Sequence, residues 1–87
     1  MYRLATAAEL IELLRQHSGD VRRLLKLPRA QLSIPTDGHG LRVLAEIPNR
    51  PKNRHVIIRY NLRGQDIEIP VEVRDTFEKF AVGSGRP

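Results

Sequence analysis

The stretch His55–Val73, with the sequence HVIIRYNLRGQDIEIPVEV, decides the fold that the rest of the chain must accommodate. Two segments in which apolar and polar residues alternate flank Arg63-Gly64, and this pattern predicts a β-hairpin with those two residues as its loop. A four-residue loop, Leu62–Gln65, gives the same register. That register pairs apolar side chains on one face: Tyr60 with Ile67, Ile58 with Ile69, and Val56 with Val71.

The opposite face of this hairpin carries charges that support the same register. Arg59 falls opposite Glu68, a cross-strand ion pair of a kind that contributes about 0.2–1 kcal/mol. A shift by one residue would place Ile58 against Glu68, so the alternation itself selects the register. Gly64 supplies the positive φ that a tight turn requires.

The N-terminal segment predicts a helix that covers the apolar face of the hairpin. Thr6 and Glu9 have the spacing of a capping box, in which each side chain satisfies a backbone N–H at the start of a helix. The helix is predicted over Ala7–His17, with leucines at helical spacing. Gly19 is expected to end it in the left-handed conformation.

A short second helix is predicted directly afterwards. Asp20 is expected to cap a helix over Val21–Leu27, which Pro28 stops. Two helices joined through Gly19 raise the possibility of a helix-turn-helix. The match is weak because the second helix has only about two turns and because Arg15 stands where tight packing needs a small residue.

A second β-hairpin is predicted earlier in the chain. Asp37-Gly38 separates two alternating segments and is among the strongest short hairpin signals. As a two-residue loop it pairs Ile34 with Leu41 and Leu32 with Val43.

These elements predict an α+β domain, with an N-terminal helix or helical hairpin packed on a four-stranded antiparallel β-meander. Asp75 is expected to open a short C-terminal helix over Thr76–Val82. Residues 1–82 form the single domain, and residues 83–87, rich in Gly, form a flexible tail. Pro70 marks the last strand as an edge or a bulge, because proline has no N–H for a β-ladder.

Composition limits the classes of protein that the chain can belong to. It has 87 residues and no Cys, so neither disulfides nor thiolate metal sites stabilise it. The sequence has no apolar run of membrane-spanning length and no secretory signal pattern, which favours a cytoplasmic protein without a membrane partner.

Catalytic chemistry finds little support in the sequence. The three histidines, His17, His39 and His55, lack the spacing that places two imidazoles on one metal ion. The Asp-Gly-His-Gly turn has no further features of a phosphate-binding loop. We therefore predict no enzymatic activity, no metal, no cofactor and no small-molecule substrate.

The distribution of charge indicates a polyanion partner. The net charge is +5, but residues 1–63 hold twelve Lys and Arg against five Asp and Glu, which gives +7. Aromatic residues for stacking on bases are scarce there, so the interpretation is electrostatic contact with duplex or structured nucleic acid, with a solvated basic surface as the alternative. The predicted contact residues are Arg22, Arg23, Lys26, Arg29, Arg50, Lys52, Arg54, Arg59 and Arg63.

A protein-interaction module is the competing interpretation. Leu44 and Ile57 fall on the charged face of the predicted sheet, where two apolar side chains are unexpected. They indicate either ordinary scattered exposure or contact with a protein partner or a second copy. An edge strand ending at Val73 would offer a further docking edge to an adaptor or inhibitor partner.

Overall fold

The computed structural model describes residues 1–47 and 53–75. In this part of the chain two helices and five strands form an α+β fold with a mixed sheet. The elements are β1 (Arg3–Leu4), α1 (Ala7–Gln16), α2 (Ser18–Leu25), β2 (Gln31–Ser33), β3 (Val43–Ile47), β4 (Arg54–Leu62) and β5 (Gln65–Asp75). The predicted C-terminal helix, the tail and the contact residues Arg50 and Lys52 lie outside the described residues.

The sheet is organised around β5. β4 runs antiparallel to β5, from Arg54 opposite Val73 to Leu62 opposite Gln65. β1 and β3 both pair with β5 in parallel, so they share its other edge, and β2 pairs antiparallel with β3. The predicted four-stranded antiparallel meander is therefore wrong. It assumed that β3 and β4 pair because they are consecutive, whereas β5, with its fully apolar inner face, lies between them and has both edges paired.

The β4–β5 hairpin confirms the predicted register. Tyr60 pairs with Ile67 and Arg59 with Glu68. Arg63 has a φ of 52° and Gly64 a φ of 84°, so both loop residues adopt the left-handed conformation of a two-residue hairpin turn.

Pro70 lies in the central strand, so the prediction that it marks an edge or bulge is wrong. The two-residue loop makes Leu62 and Gln65 a hydrogen-bonded pair, and such pairs recur at every second residue. Pro70, opposite Ile57, is therefore a non-hydrogen-bonded position toward β4, and its nitrogen faces the other edge. On that edge of β5, Pro70 lies between Glu68, the last residue that pairs with β1, and Val71, the first residue that pairs with β3. The missing N–H thus interrupts no ladder.

The first predicted hairpin has the right pairing direction but the wrong turn. Leu32 pairs with Ala45, two residues further along than predicted, and a longer connection replaces the two-residue loop. A shift by two keeps every side chain on its predicted face. The reason for the longer connection is ionic: Asp37 accepts hydrogen bonds from the backbone of His39 and the guanidinium of Arg42, which organises the turn around a buried arginine.

Helix α1 begins as predicted. The Glu9 N–H donates to Thr6 Oγ1 at 3.2 Å and the Thr6 N–H donates to Glu9 Oε1 at 2.9 Å, which completes the capping box. Arg3 adds a bidentate ion pair to Glu9, and the hydrogen bond from Arg3 is the main reason that the pKa of Glu9 falls to about 2.

Helix α2 is displaced from its predicted position. It starts at Ser18 rather than Val21, so Gly19 lies inside it instead of ending α1, and His17 is the residue between the two helices. Lys26, with a φ of 61°, ends α2. The buried helix residues are Leu10 and Leu13 on α1 and Val21 and Leu25 on α2, which form one core with the inner face of the sheet. Neither described helix has the length and apolar character needed to cross a membrane.

Candidate phosphate-binding site

The exposed side of α2 carries a basic depression. Arg22 and Arg23 follow Gly19 by three and four residues and so lie on the same side of α2 as Gly19, and Lys26 is the residue at which the helix ends. Together with Pro28 they line a depression of about 560 Å³, which we name the α2 groove. The lack of a side chain at Gly19 contributes to this depression, because the space where a Cβ would stand is open.

Arg22 is positioned by neutral partners. Its Nε donates to the carbonyl oxygen of Ala30 at 2.8 Å, and one terminal nitrogen lies 3.4 Å from the Ser18 hydroxyl. Within the described part of the chain no carboxylate pairs with this guanidinium. Its orientation is therefore fixed while its charge stays uncompensated.

Arg23 is neutralised by a carboxylate. It forms an ion pair with Asp20 within α2, and Asp20 also accepts a hydrogen bond of 2.5 Å from the hydroxyl of Tyr60 on β4. The bond from Tyr60, followed by the nearby charge of Arg23, lowers the pKa of Asp20 in spite of partial desolvation. The same bond raises the pKa of Tyr60. This cluster fixes α2 on the sheet and contributes no net charge.

Lys26 and Arg29 supply the remaining charge. Both side chains are exposed, and neither forms an ion pair with another residue in the ranges 1–47 and 53–75. Lys26 stands at the C-terminal end of α2, where a cation interacts favourably with the helix dipole. Arg22 and Lys26 line the α2 groove, and Arg29 directly follows the lining residue Pro28. Among the described residues these three cations thus lack a carboxylate partner.

The other described contact residues do not join this groove. Arg59 pairs with Glu68 and its guanidinium lies 4.7 Å from the centre of the Tyr2 ring, while Arg63 pairs with Glu12 on α1. Arg54 is exposed at the start of β4 and forms no ion pair within the described residues. Two strands, β5 and β3, lie between β4 and β2. Arg54 on β4 is therefore three strand spacings, about 14 Å, from β2, the strand that follows α2.

The two apolar residues predicted as a partner interface differ in exposure. Leu44 is 6% exposed, which corrects the expectation that it stands open on the outer face of the sheet, the face away from the helices. Ile57 is 61% exposed. It lines an apolar depression of about 480 Å³ together with Arg42, His55, Val56, Pro70 and Val71. Ile57 alone of the two is available to a partner.

The sequence did not predict a buried ion network on the outer face. Arg42 donates to Glu72 at 2.8 Å and to Asp37 at 2.9 Å, and Glu72 also accepts from Arg74 at 2.9 Å. Burial opposes ionisation of Glu72, but the bonds from Arg74 and Arg42 outweigh it and lower its pKa. Arg42 likewise holds the pKa of Asp37 well below its usual range. The only signal in the sequence was that Arg42 and Glu72 share the outer face, and parallel pairing of β3 with β5 is what brings them together.

The described residues contain no group of side chains that indicates a metal site. Nowhere in residues 1–47 and 53–75 do three His, Cys, Asp or Glu side chains gather as a metal ion would require. His39 and His55 line a further depression of about 400 Å³ with Arg42, Glu72 and Arg74. The Arg42 and Arg74 charges there are balanced by Glu72 and Asp37.

Comparison with known proteins gave no assignment: no family model matches the chain, and no curated protein and no solved structure shows a significant match.

Proposed function

We propose that this domain binds nucleic acid through the α2 groove. The observation that carries the proposal is the set of three cations, Arg22, Lys26 and Arg29, that have no carboxylate partner among the described residues. Arginine and lysine side chains in this state replace condensed counterions on a phosphate backbone, which is the main source of sequence-independent affinity. Arg22 is held in place by Ala30 and Ser18, so little side-chain freedom is lost when it meets a phosphate.

The lining of the groove favours backbone contact over base reading. Among the described residues it consists of three basic side chains, a glycine and a proline, with no aromatic ring on which an unpaired base could stack. Contacts to phosphate position a protein on a helix without reading its sequence. The expected ligands are therefore duplex DNA or folded RNA, bound without strong sequence preference.

The test is a fluorescence-anisotropy titration with a labelled 20-base-pair DNA duplex and a labelled RNA hairpin at about 50 and 200 mM salt. Three phosphate contacts give a slope of about −2.7 in log affinity against log salt, so affinity should fall about 40-fold over this range. Removing two of the cations, with Lys26→Ala together with Arg29→Ala, should weaken binding at low salt and reduce the fall to about 3- to 4-fold.

A matched pair of substitutions separates a local site from net charge. Arg59→Ala together with Arg63→Ala removes the same two charges, but each of these arginines is already paired with a carboxylate. This variant should keep its affinity within about 2-fold. Equal losses in both variants, or a lack of binding by the unaltered protein at 50 mM salt, would refute the α2 groove as the site.

A further inference from the structure

The outer edge of β4 carries backbone groups that pair with no other strand among the described residues. β4 is nine residues long and pairs only with β5 there. Its even-numbered residues form the hydrogen-bonded pairs with β5, since Leu62 and Gln65 close the two-residue loop. The N–H and C=O groups of His55, Ile57, Arg59 and Asn61 therefore point away from β5, in the geometry that accepts a further strand.

The apolar layer under the sheet is incomplete at the same strand. On β5 the inward side chains Ile67, Ile69 and Val71 are fully buried. Their neighbours on β4, Val56, Ile58 and Tyr60, are only half-buried. An added strand with apolar inward residues would extend the layer over these three side chains.

The charges on β4 determine which strand fits. β4 carries two cations, Arg54 and Arg59, together with His55, and contains no Asp or Glu. A second copy of the chain would bring another +5 and the same basic strand, so like charges oppose self-pairing. Among the described residues Glu68 bonds only the Nε of Arg59. A strand with outward carboxylates would instead place them beside the terminal nitrogens of Arg59 and beside the imidazole of His55, on either side of the exposed Ile57.

We propose that β4 binds an extended acidic segment of a partner protein, in which carboxylates alternate with apolar residues, as an additional strand of the sheet. The apolar residues of the segment cover Val56, Ile58 and Tyr60, and its carboxylates lie on the outer face near His55 and Arg59. Backbone hydrogen bonds along the edge supply affinity, and the alternation supplies specificity. This surface is separate from the α2 groove and does not depend on nucleic-acid binding.

The test uses a labelled nine-residue peptide that alternates Glu and Val, titrated against the full chain by fluorescence anisotropy. We expect binding, at least 10-fold weaker binding of a Glu/Ser peptide that lacks the apolar face, and no binding of a Lys/Val peptide. In an antiparallel added strand the Glu nitrogens face β4, so N-methylation of the Glu nitrogens should abolish binding, whereas N-methylation of the Val nitrogens should preserve it; a parallel added strand would reverse the two effects. Equal affinity for the Glu/Val and Glu/Ser peptides, or equal effects of the two methylations, would overturn strand addition.

Substitution of Ile57 provides a test from the side of the protein. Because this side chain is exposed, Ile57→Lys should tighten binding of the Glu/Val peptide by about 2- to 5-fold and Ile57→Glu should weaken it by a similar factor. Ile11 on α1, which is 49% exposed, is the matched control: Ile11→Lys and Ile11→Glu should leave the affinity unchanged. The Lys26→Ala and Arg29→Ala double variant should also bind the peptide normally. Concentration-dependent dimerisation of the free chain in sedimentation velocity that Ile57→Lys abolishes would overturn the proposal in favour of a second copy.

Discussion

Replacing Glu72 with Gln measures how far the buried ion network stabilises the sheet. The carboxylate of Glu72 accepts hydrogen bonds from Arg42 at 2.8 Å and from Arg74 at 2.9 Å, and little of it reaches solvent. Hydrogen bonds to a charged group contribute about 1.5–3 kcal/mol, and removing one partner of a buried pair costs about 3–5 kcal/mol. Asp37 still compensates Arg42 in the variant, and the Gln oxygen still accepts a bond. The expected loss in the free energy of unfolding is therefore about 2 kcal/mol.

The assay is urea denaturation followed by circular dichroism at pH 7. With a slope of about 1 kcal/mol per molar urea, typical of small domains, the midpoint of unfolding should fall by about 2 M. Glu68→Gln is the matched control, because Glu68 lies on the same face of β5 and pairs with the exposed Arg59. Its loss should stay below about 1 kcal/mol. Equal midpoints for the two variants would show that the Arg42–Glu72 pair does not stabilise the fold as its burial indicates.

Three further predictions concern local stability. Thr6→Ala should lower the free energy of unfolding by about 1 kcal/mol in the same assay, because it removes the hydroxyl that accepts a hydrogen bond from the Glu9 N–H. Thr6→Ser, which keeps a hydroxyl, should retain most of this stability. Gly64→Ala should lower the free energy of unfolding by about 1–2 kcal/mol, because the φ of Gly64 is 84°. Gly19→Ala should raise the free energy of unfolding by about 0.5 kcal/mol, because Gly19 lies in α2 and the space at its Cβ position is open. A change of the same sign in both variants would contradict the assigned backbone. The pKa of Glu9, about 2, and the pKa of Glu72 both lie below their unfolded value near 4.5. Both carboxylates therefore contribute their full stabilisation above that value and lose it as the pH falls toward 2. The urea midpoint should drop between pH 5 and pH 2, and it should drop less in Glu9→Gln.

The parts of the fold that the sequence predicted are those that short-range pattern determines. Residues Arg54–Asp75 specify their own register, because alternation and the two-residue turn agree, and the capping box specifies the start of α1 from Thr6 and Glu9 alone. Parallel pairing of β1 and β3 with β5 leaves no comparable signal, since it joins segments that are distant in the chain. The turn at Asp37-Gly38 was mispredicted for the same reason: the ion pairs that shape it include Glu72, thirty residues after Arg42.

The candidate site shows a similar division. Counting basic residues identified Arg22, Lys26 and Arg29 but gave them the same weight as Arg59 and Arg63. The structure separates these two groups, because Arg59 meets Glu68 across the hairpin and Arg63 meets Glu12 on α1. The first of these pairs followed from the predicted register, whereas the second depends on how α1 packs near the hairpin turn, which the sequence does not show.

The most direct test of the proposed function is a two-dimensional ¹H–¹⁵N NMR titration of the protein with the 20-base-pair duplex at 50 mM salt. We predict that the largest shift changes fall on residues 19–30, with the Arg22 side-chain signal among them, and that β4 and the outer face stay unperturbed. Changes centred on β4, or spread evenly over all basic residues, would contradict the assignment of phosphate binding to the α2 groove.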